Sequence, residues 1–328
     1  MKNWLLKSFL AKSHAKQEQA VGSSSVSSGA EVLLKRLEWT TIRRLDGVLQ
    51  GDYRTLFRGS GLDFADLREY ESYDDVRHID WNVTARTGTP HVRVFTEDRE
   101  MAAWFVMDLS ASADFGSGER RKRDVANELT ITLARLLTGH GNRVGALIYG
   151  GGDAGGLDKM LPTGSGRRHV LQLAHELLAH HAKKGQQETQ LAHLLDAAGH
   201  VIKRRSTVFV ISDFFSAPGW AKSLQQLARR HDVVAVRLSD PLELKLPDMG
   251  LITLRDAETG ETQLVDCSPS FRKRFQEIAA DKEAQLRESL ADAQVDTLEL
   301  STKDDIADAL IRFAALRRRK SLNQRKVA

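Results

Sequence analysis

The sequence predicts an α/β protein built on a doubly wound, mainly parallel sheet and preceded by a small β-rich N-terminal unit. Two observations favour this class. Along residues 101–316, short apolar segments typical of buried strands alternate with longer amphipathic segments typical of helices. Strands separated by helices need crossover connections, which give parallel pairing with helices on both faces of the sheet.

The predicted elements of this domain follow one another in alternation. Strands are predicted at 103–108, 143–149, 207–213, 233–238 and 297–300, with a short antiparallel strand at 158–161. Helices are predicted at 121–137, 168–178, 190–202, 220–229, 270–290 and 304–316. In the first helix Val125, Leu129 and Leu136 share one face, which is the pattern expected of a helix packed on a sheet.

Three further segments are predicted outside this domain. Residues 1–30 read as a flexible basic tail that ends in a Ser-rich linker at 22–29. Residues 31–100 hold a helix up to about Asp46, followed by a β-rich segment dense in charged and aromatic residues. Residues 317–328 form a basic C-terminal tail.

Composition narrows the function classes. Apolar residues make up 41% of the chain and charged residues 28%, an ordinary mixture for a globular protein. The formal net charge of +4 comes from the tails, since 1–30 carry +3 and 317–328 carry +6, which leaves 31–316 at −5. A nucleic-acid-binding core is therefore not expected, although the C-terminal tail could contact RNA or anionic lipid.

Localisation is predicted from what the sequence lacks. The single cysteine, Cys267, excludes an intramolecular disulfide and fits a reducing compartment. No segment approaches the roughly 20 apolar residues that span a bilayer. A cytoplasmic protein is expected, with a peripheral membrane contact through the basic amphipathic residues 1–12 left open.

The first chemical motif is Asp108-Leu-Ser110-Ala-Ser112, directly after the apolar residues 104–107. In a doubly wound sheet, the loops beyond the carboxyl ends of the strands form the ligand crevice. The three side-chain oxygens can turn toward one point, and such a set favours Mg²⁺, Mn²⁺ or Ca²⁺ over zinc. The alternative is a polar loop that caps the next helix.

Two further oxygen donors fit the same crevice. Asp213 ends the apolar strand at 207–213, and two carboxylates facing one crevice favour a cation between them. Thr189 precedes a predicted helix, which it would also cap, and its hydroxyl could join the cation shell. Thr163 is the alternative threonine.

The order Asp-x-Ser-x-Ser, then Thr, then Asp resembles the metal-ion-dependent adhesion site of von Willebrand factor A domains, over roughly residues 100–316. The resemblance implies a von Willebrand factor A-like fold and a bound divalent cation, Mg²⁺ first and Mn²⁺ or Ca²⁺ as alternatives. The ligands that it implies are Asp108, Ser110, Ser112, Thr189 and Asp213.

The segment before this domain carries a second resemblance. Gly59-Ser-Gly-Leu-Asp-Phe64 and Tyr73-Asp-Asp-Val-Arg77-His-Ile-Asp80-Trp81 are similar to the signature of the domain-of-unknown-function 58 (DUF58) family, which stands before an A-type domain. Ala113 departs from the family, which often has Met there, and touches no ligand oxygen. The resemblance implies a MoxR-type AAA+ ATPase as partner, beside which family members act as adaptors in assembling other proteins.

The charges of this signature also predict its packing. We expect Arg77, Asp80 and Arg86 to be buried in Arg–carboxylate pairs, because buried charges need partners. Trp81 would be their apolar anchor. An exposed charged hairpin is the alternative.

Together these observations predict a non-enzymatic, metal-dependent adaptor in which an Asp or Glu of a client protein completes the cation's coordination. No catalytic residue or nucleotide-binding loop is predicted, so any ATPase activity belongs to the partner. Two alternatives stay open. One is a metal-dependent hydrolase or phosphotransferase using Asp108 and Asp213, and the other is a nucleic-acid-associated factor acting through its basic tail.

Overall fold

A computed structural model describes residues 23–49, 66–71, 76, 79–94, 102–151, 157–182, 189–255 and 262–327. The strands of this part are β1 (Asp66–Glu69), β2 (His91–Val94), β3 (Ala102–Asp108), β4 (Arg143–Tyr149), β5 (Lys159–Gly164), β6 (Thr207–Ser212), β7 (Asp232–Ser239), β8 (Leu251–Arg255), β9 (Thr262–Asp266) and β10 (Asp296–Ser301). Its helices are α1 (Ser23–Leu37), α2 (Arg43–Leu49), α3 (Trp81–Thr87), α4 (Lys122–Gly139), α5 (Gly166–Ala179), α6 (Leu191–Val201), α7 (Trp220–Arg230), α8 (Pro241–Leu244), α9 (Pro269–Asp292) and α10 (Ile306–Val327). A π-helical segment, Glu38–Ile42, joins α1 to α2, and a 3₁₀ turn, Ala111–Asp114, follows β3.

The central sheet has the strand order β5-β4-β3-β6-β7-β10. All neighbouring pairs are parallel except β4 and β5, which are antiparallel. The chain builds outward from β3 through β4 to β5, then returns to β6 and builds outward on the other side, so the order reverses between β3 and β6. This confirms the predicted α/β, doubly wound, mainly parallel sheet, with the predicted pair of central strands as neighbours.

The strands are continuously apolar because both faces of the sheet are covered. On one face α1, α4, α5 and α10 pack over a layer that includes Phe105 and Met107. On the other face α6, α7 and α9 pack over Trp104 and Val106. Phe105 stacks on Phe209 of β6 with ring centroids 5.4 Å apart, which ties the two central strands together.

The predicted Ser-rich linker is wrong for residues 23–29, because α1 begins at Ser23. Ala30, Leu34 and Leu37 are buried in the main core, and this packing outweighs the modest helix propensity of serine and glycine. Leu45 of α2 is also fully buried there. The N-terminal helices therefore belong to the core of the large domain instead of a separate unit at 31–100.

The described part of the β-rich unit is an antiparallel pair, β1 and β2, in which Asp66 faces Val94 and Glu69 faces His91. Asp80 is buried as predicted, and its carboxylate accepts a hydrogen bond from the Val83 backbone N–H at 3.2 Å, which caps α3. The predicted packing of Trp81 and burial of Arg86 are wrong. Both side chains are exposed, Trp81 by 70%, because they lie on a short helix whose start is held by the Asp80 cap. Arg77 lies outside the described residues.

The predicted basic tail at 317–328 is helical as far as Val327, because α10 continues through it. Arg317 is 2% exposed and forms ion pairs with Asp232 at 2.7 Å and Asp296 at 2.8 Å. Lys320 lies 2.9 Å from the same Asp296. Two of the basic residues assigned to the tail are thus engaged at the starts of β7 and β10.

The β8–β9 hairpin was not predicted. Ile252 and Val265 lie opposite each other and pack on a small cluster of Phe115, Leu246 and Phe275. The hairpin therefore lies close to the loop that follows β3. None of the helices in the described part of the chain combines the length and the apolar character needed to cross a bilayer.

Candidate functional site

The candidate site lies where β3 and β6 end side by side. Met107 pairs with Ile211, so Asp108 and Ser212 come next on neighbouring strands. The carboxyl ends of these strands flank the point where the strand order reverses, which is where open α/β sheets bind ligands. The sheet topology therefore brings together two segments that are about a hundred residues apart in sequence.

Asp108 is buried and surrounded by polar hydrogens. Its Oδ2 accepts a hydrogen bond from the Ser212 hydroxyl at 2.8 Å, and its Oδ1 accepts one from the Ser110 backbone N–H at 3.2 Å. The hydroxyls of Ser110 and Ser112 lie 3.2 Å apart. Ser110 is buried and Ser112 is partly exposed, so the motif extends from the buried carboxylate to the surface of the loop.

Asp213 is equally buried but has a cationic partner. Its Oδ2 lies 2.6 Å from the Lys122 ammonium, and its Oδ1 accepts a hydrogen bond from the Phe215 backbone N–H at 3.0 Å. Lys122, the first residue of α4, also lies 2.6 Å from Oε1 of Glu243. Asp213, Lys122 and Glu243 together form a buried ion triad.

The pKa values of the two carboxylates are therefore shifted in opposite directions. Burial, and then repulsion from Asp213, raise the pKa of Asp108 from 3.8 to about 6. Burial alone would also raise the pKa of Asp213, but Lys122, helped by Arg237 and the Phe215 N–H, holds the pKa below its ordinary value. For Lys122, burial favours the neutral amine, yet Asp213 and Glu243 hold its pKa above the ordinary value, so it stays an ammonium.

The turn after β6 is held in an unusual conformation. Phe214 has a φ of 56°, in the left-handed region that residues other than glycine seldom occupy. The Ser212 hydroxyl accepts a hydrogen bond from the Phe214 N–H at 2.8 Å, and the Phe214 ring packs on Trp220 at 5.1 Å. Ser212 therefore fixes this turn and donates to Asp108 at the same time.

Thr189 is buried beside the same turn. Its carbonyl oxygen accepts hydrogen bonds from the Ser216 hydroxyl at 2.7 Å and from the Ala217 N–H at 3.0 Å. The Ser216 hydroxyl in turn accepts a bond from the Leu191 N–H at 2.9 Å. These contacts place Thr189 at the start of α6 and against the loop after β6.

Arg123 holds the loop after β3. Its guanidinium donates to the Leu109 carbonyl oxygen at 2.8 Å and forms an ion pair with Asp114, which ends the 3₁₀ turn. It also donates to the His180 carbonyl oxygen at 3.2 Å, and the His180 ring lies 3.2 Å from Asp158. The motif loop is therefore anchored on both sides of its serines.

The donor chemistry at Asp108 fits a hard divalent cation. In the part of the chain that the structure describes, no cluster of three or more His, Cys, Asp and Glu side chains has metal-binding geometry, so a cation would depend on hydroxyl oxygens beside Asp108. The balance of buried charges also favours a bound cation. The buried or half-buried carboxylates Asp108, Asp213, Glu243 and Glu283 exceed the cations Lys122 and Arg237 by two negative charges.

The structure thus brings Asp108, Ser110, Ser112 and Asp213 to one edge of the sheet and Thr189 to the adjacent loop. Sequence reasoning missed Lys122 and Glu243, and it also missed Ser212. A signal for Ser212 existed, since it directly precedes Asp213 at a strand end. Nothing comparable marked Lys122, one of four consecutive basic residues at 120–123.

Comparison with known proteins gives the following matches. Residues 66–285 match the family model described as "Protein of unknown function DUF58". An uncharacterized protein of Mycobacterium tuberculosis is 37% identical over 289 residues, covering 88% of this chain and 90% of the relative. A protein of Paracoccus denitrificans, named only as lying in the moxR 3' region, is 31% identical over 99 residues, covering 30% of this chain and 94% of the relative. The crystal structure of a conserved hypothetical protein, BatB, from Bacteroides thetaiotaomicron covers 67% of this chain and 99% of its own, with a TM-score of 0.42 and 13% identity.

Proposed function

Because this chain belongs to the DUF58 family, one of whose relatives is named for its place beside moxR, we propose that it is a cation-dependent adaptor that works with a MoxR-type AAA+ ATPase. The cation requirement rests on the burial of Asp108 and on its lack of an ion pair among the described residues. The Asp108 carboxylate is bordered by serine hydroxyls. Such a group gains from a cation more than from any neutral neighbour.

The residues that would hold the cation are Asp108, Ser110 and Ser112, with the Thr189 hydroxyl as a further donor. Asp213, already bound to Lys122, would contribute its charge from the next strand. A bound Mg²⁺, or Mn²⁺ or Ca²⁺ in its place, would supply a positive charge to which a client's Asp or Glu binds. Ser112 is partly exposed, so the client would approach from its side of the loop.

The first test asks whether the site takes a cation. Mg²⁺ and Mn²⁺ are titrated calorimetrically into EDTA-stripped wild type, Asp108→Asn and Ser110→Ala. Asp248→Asn, which removes a 72% exposed carboxylate, is the matched control. We expect one binding event in the wild type and the control, a milder loss in Ser110→Ala, and none in Asp108→Asn. Absence of binding in the wild type would make the crevice a structural polar cluster.

The second test asks whether the cation serves a partner. The tagged protein is mixed with the MoxR-type ATPase of the same organism and with candidate clients, in Mg²⁺ or in EDTA. Capture should require Mg²⁺ and should fail for Asp108→Asn but not for Asp248→Asn. Capture that is unchanged both by EDTA and by Asp108→Asn would contradict a cation-dependent adaptor. Capture by Asp108→Asn with loss of a measured turnover would instead support the hydrolase or phosphotransferase.

A further inference from the structure

Lys122 is a fixed cation inside the crevice. Its side chain is 1% exposed, and its ammonium lies 2.6 Å from both Asp213 and Glu243. The rings of Phe115 and Phe215 have their centroids 5.8 Å from the same nitrogen, within the range of a cation–π contact. Two carboxylates and two aromatic rings around one buried ammonium make a complete cation-binding environment.

We propose that Lys122 is the resident counter-ion of the crevice, which occupies Asp213 and so confines divalent-cation binding to the Asp108 half. The inference deepens the proposed function because it assigns the regulation of the same site. It rests on the proposed function for the place of the cation at Asp108, and its test also measures what removal of Lys122 releases at Asp213.

The hydrogen bonds of Asp213 give the reason. One of its carboxylate oxygens accepts a hydrogen bond from the Lys122 ammonium, and the other accepts one from the Phe215 N–H. A metal that coordinates Asp213 directly must therefore either displace one of these donors or share an oxygen with it, and a metal that shares Oδ2 would lie against the positive charge of the ammonium. Displacing Lys122 leaves a buried ammonium with Glu243 alone, and this cost works against metal coordination by Asp213.

Removal of the ammonium reverses this preference. Without it, Asp213 and Glu243 lose the ammonium that they share, and Asp213 stays beside the ionised Asp108. Arg237 also acts on Asp213 and Glu243, but it is itself paired with Glu283 at 2.6 Å. Like charges gathered in a buried site favour an added cation. A divalent cation should then bind more tightly than in the wild type.

The experiment measures Mg²⁺ affinity by calorimetry in wild type, Lys122→Met and Arg121→Met, each stripped with EDTA. Methionine keeps the length of the lysine stem and removes the charge. Arg121→Met removes one positive charge from the neighbouring exposed residue and is the matched control. We expect Lys122→Met to bind Mg²⁺ at least about tenfold more tightly than both other proteins, the effect of one pKa unit from a neighbouring charge.

A second pair covers the case in which Lys122→Met does not fold. Lys122→Met/Glu243→Gln removes one charge of each sign from the triad and is compared with Glu243→Gln alone. Tighter Mg²⁺ binding in the double variant supports the inference, and so does Mg²⁺ binding by a Lys122 variant when the wild type binds none. The latter result would at the same time refute the cation requirement of the proposed function. Equal affinities with and without Lys122 in whichever pair folds would overturn the inference.

Discussion

Asp108 and Asp213 end neighbouring strands of one sheet and are almost equally buried, at 3% and 4% exposure. Their charges nevertheless meet opposite surroundings. Asp213 pairs with a buried ammonium, whereas Asp108 accepts hydrogen bonds from neutral groups. Burial and position in the fold therefore do not by themselves decide the role of a carboxylate. The lysine that begins α4 neutralises the charge of Asp213 and leaves the charge of Asp108 without an ion pair among the described residues.

This difference separates a structural from a binding role within one crevice. Asp213 holds the start of α4 and, through Lys122, the short helix α8 that carries Glu243. Asp108 keeps a charge that no ion pair among the described residues compensates. We therefore expect substitution of Asp213 to lower the free energy of unfolding and substitution of Asp108 to raise it.

The largest effect is expected from Asp213→Asn. The substitution preserves shape and leaves the buried Lys122 with Glu243 as its remaining carboxylate. Breaking a buried ion pair in this way costs about 3–5 kcal/mol, and the second carboxylate places the expected loss near the lower end. The free energy of unfolding is measured with denaturant in EDTA, with Asp248→Asn as control. An unchanged denaturant midpoint would show that the triad contributes little to stability.

The next effect is the pH dependence due to Asp108. Because the pKa of Asp108 rises from 3.8 to about 6 on folding, the folded protein holds a proton that the unfolded chain has released between these values. Stability therefore falls as pH rises from about 4 to about 6, and stays lower above that. The loss is about 3 kcal/mol, from about two pKa units at 1.36 kcal/mol each.

Asp108→Asn cannot ionise, so the variant isolates this contribution. In EDTA, the wild type and the variant should have similar stability near pH 4, and the variant should be more stable at pH 8 by up to about 3 kcal/mol. Saturating Mg²⁺ should stabilise the wild type alone, by about 2.7 kcal/mol at a hundred times its dissociation constant. A stability difference that is flat between pH 4 and 8 would mean that Asp108 ionises normally.

The sheet and the oxygen donors could be predicted because their signals are local. A strand buried on both faces is a continuous apolar run, and the residues after it must lie at the crevice edge. Asp108, Ser110 and Asp213 follow from that rule alone. The hairpin β8–β9 had no such signal, since its strands are short and much of its surface is exposed, including Leu251 and Leu264.

Burial of Lys122 and Arg317 could not be predicted, because their partners lie far away in sequence. Lys122 pairs with Asp213, 91 residues away in sequence, and with Glu243, 121 residues away. Arg317, expected in the basic C-terminal tail, is buried against Asp232 and Asp296, which are also distant in sequence. Trp81, expected to be an anchor, is exposed. A run of basic residues does not indicate which member the tertiary fold will enclose.

A smaller effect is expected from Ser212→Ala, which removes the hydroxyl that donates to Asp108. A hydrogen bond to a charged group contributes about 1.5–3 kcal/mol, so we expect a loss near 2 kcal/mol at pH 8, where Asp108 is ionised. At pH 4 the loss should be smaller, because the carboxyl is neutral. Ser206→Ala, whose hydroxyl donates to the Arg204 carbonyl oxygen, is the control with a loss that does not vary with pH. Equal losses for Ser212→Ala at both pH values would contradict a charge-assisted bond.

The smallest effect is the direct coupling between the two carboxylates, which a double-mutant cycle isolates. At pH 8 in EDTA, Asp108 is ionised next to a charged Asp213, and Asp108→Asn relieves their repulsion. In the Asp213→Asn background that repulsion is absent. The gain from Asp108→Asn should therefore be smaller in that background by about 1 kcal/mol, within the range for residues that share a network. If the two substitutions are additive, burial alone raises the pKa of Asp108, and the contrast between the carboxylates reflects Lys122 and not their proximity.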